Sequence, residues 1–148
     1  MYKKILVPVD GSEGSSQALA HCLRMLENWK PEKLVVFHVA NYPSQLETHS
    51  GKMRSAMKKV KEELGEYGEQ ILNDAKNKIT ELNTTVTVET KMAWGDPKYA
   101  IVKESEDGKY DLLIMGSRGL SGIKSFLVGS VSNHVAQHVK CSIILVKE

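Results

Sequence analysis

The stretch MGSRGLSGIKSFLVGSVSNHV, residues 115–135, decides how the rest of the chain is read. It continues a short apolar run, Leu112-Leu113-Ile114-Met115, of strand type. It carries glycines at 116, 119, 122 and 129, then an apolar periodicity at Val131, Val135 and Val139. That is a strand, a glycine-rich loop and the start of a helix. Such a loop can turn several backbone N–H groups toward one point. A helix N-terminus adds unpaired donors and the positive end of a dipole. Together they suit a phosphate group.

The same alternation of strand and helix extends in both directions from this element. Lys3–Val9 reads as a buried strand closed by Asp10-Gly11-Ser12, and a helix is expected from about Ser15 to Trp29, with Ala18, Cys22, Met25, Leu26 and Trp29 on one face. Leu34–Val39 is a second strand, followed by a polar loop from Ala40 to Gly51. Met53, Met57, Val60, Leu64, Tyr67, Ile71, Ala75, Ile79 and Leu82 then recur at spacings of 4, 3, 4, 3, 4, 4, 4 and 3. That predicts a long helix packing its stripe on the domain's own sheet, although the spacing is also heptad-like and admits a coiled-coil partner. Thr84–Met92 is expected as the third strand. Gly95-Asp96-Pro97 is a turn, an N-cap and a proline at the first helical position, opening a helix to about Asp107. Ser130–Val139 is the last helix and Ser142–Val146 the last strand.

Helices between successive strands imply parallel pairing through right-handed crossovers, and short, continuously apolar strands imply a sheet covered on both faces. The expected fold is a single α/β domain over residues 1–148, Rossmann-like and doubly wound. Its five-stranded parallel sheet has the order 3-2-1-4-5, with helices on both faces. In that order the winding reverses between strands one and four, and ligands bind beyond the carboxyl ends of the strands at the reversal. The glycine loop and Val9-Asp10-Gly11 both lie there.

Composition narrows the function classes. A chain of 148 residues, 41% apolar and 26% charged with a net charge of +2, is ordinary for a soluble globular protein and gives no electrostatic case for nucleic acid. No apolar stretch nears the ~18 residues of a membrane helix, and the apolar run after Lys3-Lys4 is too short for a signal peptide. Cys22 and Cys141 sit in no metal-ligand or redox spacing, so they are expected as free thiols of a reducing compartment, and the protein is placed in the cytoplasm.

Neither GxxxxGK[ST] nor GxGxxG is present, and Asp10–Ser16 lacks the glycine pair of a pyrophosphate loop. What is present is Gly116-x2-Gly119-x9-Gly129-Ser130. With Val7-Pro8-Val9-Asp10-Gly11-Ser12, Gly95-Asp96-Pro97 and Ser142-Ile143-Ile144-Leu145-Val146, it strongly resembles the ATP-binding branch of the universal stress protein family along the whole chain. Physically, Gly116 is expected to turn the chain off the strand, where a positive φ is often needed. Gly119 lets backbone approach a phosphate, and Ser130 can donate its hydroxyl to one.

The resemblance implies that Met115, Gly116, Ser117, Arg118, Gly119, Gly129, Ser130, Val131 and Ser132 form the phosphate and ribose side of a nucleotide site. Pro8, Val9, Asp10 and Val39 form the adenine and ribose side, Val39 acting through its backbone. Asp10 can accept from a ribose hydroxyl, join a metal shell, or merely cap the following turn. Arg118 and Lys124 can pair with phosphates or stay solvated. His38 is expected as a hydrogen-bonded structural histidine. His134 and His138, four apart without a carboxylate or cysteine, are expected as surface histidines. Lys52, Arg54, Lys58, Lys59 and Lys61 at the start of the long helix oppose its dipole, a small sign of a docking surface against the simpler view of a solvated face. The family further implies ATP, ADP or AMP with Mg²⁺ or Mn²⁺ bound through phosphates, and a homodimer paired through Ser142–Val146. The expected role is a nucleotide-responsive stress regulator with little or no hydrolysis. The alternatives are a slow ATP hydrolase on the same site and a nucleotide-independent interaction module.

Overall fold

The computed structural model describes residues 1–43, 50–82, 84–120 and 128–148. Lys124 and Gly122 of the glycine loop lie outside them, as do residues 44–49 of the polar loop. The elements run β1 (Lys4–Pro8), α1 (Glu13–Leu26), β2 (Lys33–Ala40), α2 (Lys52–Thr80), β3 (Thr87–Trp94), α3 (Pro97–Asp107), β4 (Leu112–Gly116), α4 (Ser130–His138) and β5 (Ser142–Val146). All strand pairings are parallel, and the sheet order is β3-β2-β1-β4-β5. The expected fold class and order are therefore observed.

Alternate residues of the central strands feed two cores. Ile5, Val7, Leu34, Val36, Leu112 and Ile114 pack with Ala18, Leu19 and Cys22 of α1 and with Leu72, Ala75 and Ile79 of α2. Leu6, Val35, Phe37, Leu113 and Met115 pack on the other face with Ile101 of α3 and Val135 of α4. Both faces are covered, which is why these strands are continuously apolar rather than alternating.

Several expected boundaries move, each for a local reason. α1 begins at Glu13 rather than Ser15, because the Ser12 hydroxyl accepts from the Ser15 N–H at 3.1 Å as its N-cap. It stops at Leu26 because the amides of Asn28 and Trp29 both turn back to the Met25 carbonyl, at 3.1 and 2.8 Å. β3 starts at Thr87, not Thr84. Thr84 Oγ1 accepts from the Val86 N–H at 3.1 Å in a local turn, and the ladder opens only where the Thr87 N–H reaches the Glu32 carbonyl at 3.2 Å. β3 then runs on through Ala93 and Trp94 until Gly95, whose N–H closes on the Ala40 carbonyl at 3.0 Å. α3 opens as expected, with Asp96 Oδ1 accepting from the Lys98 N–H at 2.9 Å.

The larger correction concerns α2. Its 29 residues span about 43 Å, against about 26 Å for the eight residues of β2 or β3. The helix runs antiparallel to the strands, so its first turns overhang their carboxyl ends. Burial follows suit: Gly68, Leu72, Ala75 and Ile79 are buried, whereas Met53, Val60 and Tyr67 are 52%, 41% and 47% exposed. Only the second half of the apolar stripe packs on the sheet.

Candidate functional site

The carboxyl end of β1 is a tight Asx turn. The Ser12 N–H donates to Asp10 Oδ1 at 2.9 Å, and Gly11 takes φ +82°. Glycine is required there by conformation. The turn aims the N-terminus of α1 at the end of β4, and the two meet backbone to backbone. A Cβ on Gly116 would stand 2.5 Å from the Gly14 carbonyl carbon and 2.6 Å from its oxygen, and one on Gly14 would collide with the Arg118 carbonyl oxygen. Gly116 does not have a positive φ. The expectation of a left-handed turn is corrected: this glycine is needed for close approach.

Beyond Gly116 the loop is tied down at both described ends. The Ser117 N–H donates to the Val146 carbonyl at 2.8 Å, and the Ser117 carbonyl accepts from the Gly129 N–H at 2.6 Å. Gly129 is the N-cap of α4 and supplies no side-chain cap. The first helical bond is Asn133 N–H to the Gly129 carbonyl, at 2.9 Å. The amides of Ser130, Val131 and Ser132 therefore have no hydrogen-bond acceptor among the described residues. Ser132 Oγ donates to the Gly116 carbonyl at 2.9 Å, so its proton serves the loop itself.

These pieces enclose a cavity of about 430 Å³ at the switch point between β1 and β4. Pro8, Val9, Asp10, Val39, Met115, Gly116, Arg118, Gly119, Gly129, Ser130, Val131 and Ser132 line it. Of the site residues expected from sequence, Ser117 alone does not line it; it is buried behind, bracing the loop. Among the described residues, Asp10 is the only carboxylate of the lining. Its Oδ2 faces Gly119, where an added Cβ would come to 3.0 Å. The Arg118 side chain makes no ion pair to a described residue. On the β2 side, the Phe37 carbonyl accepts from the Val9 N–H at 2.8 Å. The peptide groups of Val39, two residues on, face the same way past the end of β1 and meet no described partner.

The rest of the lining was not singled out from sequence: Ser12 and Ser15 from α1, Phe37, Ala40 and Asn41 around β2, Leu64 and Tyr67 from α2, Pro97 and Ile101 from α3, and Leu120. Tyr67 and Leu64 reach the cavity because α2 overhangs it. His38 also lines the cavity and is held as expected, with Nδ1 2.8 Å from the Val9 carbonyl oxygen. His134 and His138 stack at 4.1 Å on α4, His138 bonding to the His134 carbonyl, and no cluster of three potential metal ligands occurs among the described residues. The Cys22 thiol is pushed up to about 12 by burial, which makes it inert, and the half-buried Cys141 thiol is raised by the same cause.

Residues 1–147 match the sequence profile of the universal stress protein family. The chain belongs to that family. Universal stress protein YxiE of Bacillus subtilis is 31% identical over 151 residues, covering 99% of this chain and 100% of its own. Universal stress protein MJ0577 of Methanocaldococcus jannaschii is 31% identical over 159 residues, covering 99% of this chain and 96% of its own. The solved structure of MJ0577 superimposes with a TM-score of 0.85 over 100% of this chain and 97% of that one, at 28% identity. A universal stress protein solved in complex with cAMP has a TM-score of 0.67 and 25% identity, covering 98% of this chain and 96% of that one. No described helix of this universal stress protein is long and apolar enough to cross a membrane.

Proposed function

We propose that this universal stress protein binds ATP in the cavity and acts as a nucleotide-responsive regulator, signalling by occupancy rather than by turnover. The observation that carries this reading is the start of α4: three adjacent amides without acceptors among the described residues, no side-chain cap, and a cavity wall in front of them. A phosphate supplies the acceptors and sits at the positive end of the helix dipole. The N-terminus of α1, locked to β4 through Gly14 and Gly116, brings Ser12 and Ser15 to the same cavity. At the other end, the apolar lining of Phe37, Val39, Pro97 and Ile101, with the unpaired Val39 peptide groups, suits a base. The relative solved with cAMP supports a nucleotide in this fold.

A divalent ion, Mg²⁺ or Mn²⁺, suits this lining as a phosphate-bound ion, with Asp10 as the one carboxylate among the described lining residues able to join its shell. When bound it would neutralise phosphate charge. Little or no hydrolysis is expected. Residues 112–133 contain no Asp, Glu or His to orient a water. One observation favours slow hydrolysis as a second reading: Asp10 Oδ2 faces the glycine loop rather than only the nucleoside side.

The deciding experiment identifies any nucleotide released from the purified protein by mass and titrates ATP into emptied protein calorimetrically. Gly119→Val should abolish binding while the circular dichroism spectrum is kept; unchanged affinity would refute this placement of the site. Single-turnover release of γ-phosphate within seconds, lost in Asp10→Asn, would favour the hydrolase.

Pairing of β5 between two copies is part of the proposal. The two sheet edges differ in kind. The β3 edge carries Glu89 and Lys91, paired with Lys33 and Glu104, as protected edges do. Within β5, Ile143, Ile144, Leu145 and Val146 are half-buried and carry no charge. Isologous pairing there would cover them. Sedimentation at micromolar concentration should show a dimer. The cytoplasm is the proposed location, consistent with two free thiols.

A further inference from the structure

Besides the Val39 peptide groups, the wall of the cavity at the end of β2 holds a side-chain polar atom without a hydrogen-bond partner among the described residues. His38 is 5% exposed and lines the cavity. A carbonyl only accepts, so the 2.8 Å contact with the Val9 oxygen puts the proton on Nδ1 and, in the neutral ring, leaves a lone pair on Nε2. Nε2 has no hydrogen bond to a described residue, yet no side-chain nitrogen or oxygen is both buried and unpartnered there. Nε2 therefore keeps accessible surface, on a residue that lines the cavity. The ring is held fast. Gly68 of α2 lies against its Cδ2–Nε2 edge, where a Cβ would stand 2.7 Å from Cδ2, 3.2 Å from Nε2 and 2.7 Å from Met92 Sδ, and Tyr67 packs edge-on at 6.5 Å between centroids. This is a preorganised acceptor in a poorly solvated place.

Its position along the sheet says what it meets. β1 lies between β4 and β2, and strands are about 4.8 Å apart, so His38 stands about 10 Å across the sheet from the loop that follows β4. A nucleotide with its phosphates on α4 crosses β1 at Asp10 and lays its nucleoside against β2. We propose that His38 is a specificity-determining residue: Nε2 accepts a hydrogen bond from the nucleoside, either a base N–H or a ribose O–H. This rests on the nucleotide reading above. A nucleoside lacking that donor leaves a buried acceptor unpaired, which costs about ten- to a hundredfold in affinity.

Calorimetry on the full chain with Mg²⁺ separates the two donors. ATP is compared with purine riboside triphosphate and ITP, which lack the 6-amino group, and with 2′-deoxy-ATP and 3′-deoxy-ATP. One of the two groups of analogues should bind at least tenfold more weakly than ATP. His38→Leu should bind that analogue and ATP alike, while His38→Gln, which keeps an acceptor, should restore part of the difference. Equal discrimination in wild type and His38→Leu overturns the assignment. So does a wild type that binds all five ligands alike. Should the variants not fold, ¹⁵N spectra of the wild type decide: the Nε2 resonance of His38 should move upfield with saturating ATP, and a stationary signal refutes the proposal. Absence of binding by any of the nucleotides to wild type overturns the nucleotide reading itself, a result distinct from binding without discrimination.

Discussion

Gly116→Ala tests the backbone contact between α1 and β4. Gly116 does not have a positive φ, so alanine is conformationally admissible, and loss of unfolded-state freedom alone would stabilise by about 0.4–1 kcal/mol. Against this stand the Gly14 carbonyl carbon at 2.5 Å and oxygen at 2.6 Å from the new Cβ. Carbon pairs rest near 3.5–4.0 Å, so the start of α1 must retreat by about 1 Å. The obstacle is backbone, pinned by the Ser12 cap and the Asp10 turn, and cannot rotate aside. Overpacking costs about 1–3 kcal/mol, and a rigid neighbour puts this case at the top of that range. The net is about 2 kcal/mol destabilising, or roughly 4–8 °C in Tm for a chain of this size. Thermal unfolding followed by circular dichroism reads it directly. Gly119→Ala is the control: its one close neighbour among the described residues is Asp10 Oδ2 at 3.0 Å, a side-chain atom that can swing away, so its Tm should stay within about 2 °C. A Gly116→Ala protein as stable as wild type would refute the claim that this glycine serves packing.

Other outcomes follow from single contacts. Asp111 Oδ2 accepts from the Lys4 N–H at 2.7 Å and the Lys3 N–H at 2.8 Å, and these backbone bonds hold its carboxyl below the usual range. A depressed carboxylate stabilises above its unfolded pKa, near 3.9, and that contribution is lost as pH falls through the folded value. Because the group is exposed, Asp111→Asn should cost only roughly 0.5–1 kcal/mol at pH 7, and urea titrations should show the deficit fading toward pH 2. Ser132→Ala removes the buried hydroxyl bond to the Gly116 carbonyl and should lower stability by about 1–2 kcal/mol in urea, with the far-ultraviolet spectrum unchanged. With a thiol reagent at pH 8, Cys141 should react first and Cys22 only at the unfolding rate; a native protein labelled fast at both would contradict the burial of Cys22.

Periodicity sufficed for the topology because local and tertiary preferences agree. The central strands β1, β2 and β4 are apolar on both faces, and Asp96-Pro97 and Gly129-Ser130 open their helices where cap chemistry places them. It sufficed less where a pattern has two physical uses. The stripe from Met53 to Leu82 gives the length of α2 but not where the sheet beneath it ends, so the overhang and the arrival of Leu64 and Tyr67 at the cavity were hidden. Thr84-Thr85-Val86 alternates like a strand, yet the Thr84 hydroxyl spends that segment on a turn. Glycines are the sharpest case. Composition marks Gly11, Gly14 and Gly116 alike, but one bends the backbone and two let chains touch, and only coordinates tell them apart. Ser12, Ser15 and Ile101 each look like ordinary cap or core residues until the fold sets them around one space.

The two tryptophans stand at opposite poles of the molecule. Trp29 packs on Tyr2, centroids 5.5 Å apart, where α1 returns to the amino ends of the strands. Trp94 closes β3 at the carboxyl rim, 41% exposed, edge-on to Tyr42 and 5.5 Å beneath the Lys61 ammonium of the α2 overhang. With Trp29 replaced by phenylalanine, all remaining indole emission comes from the rim. The chain thus carries a built-in optical gauge. Its colour follows the water and charge around one ring at the carboxyl rim, while the opposite pole stays dark.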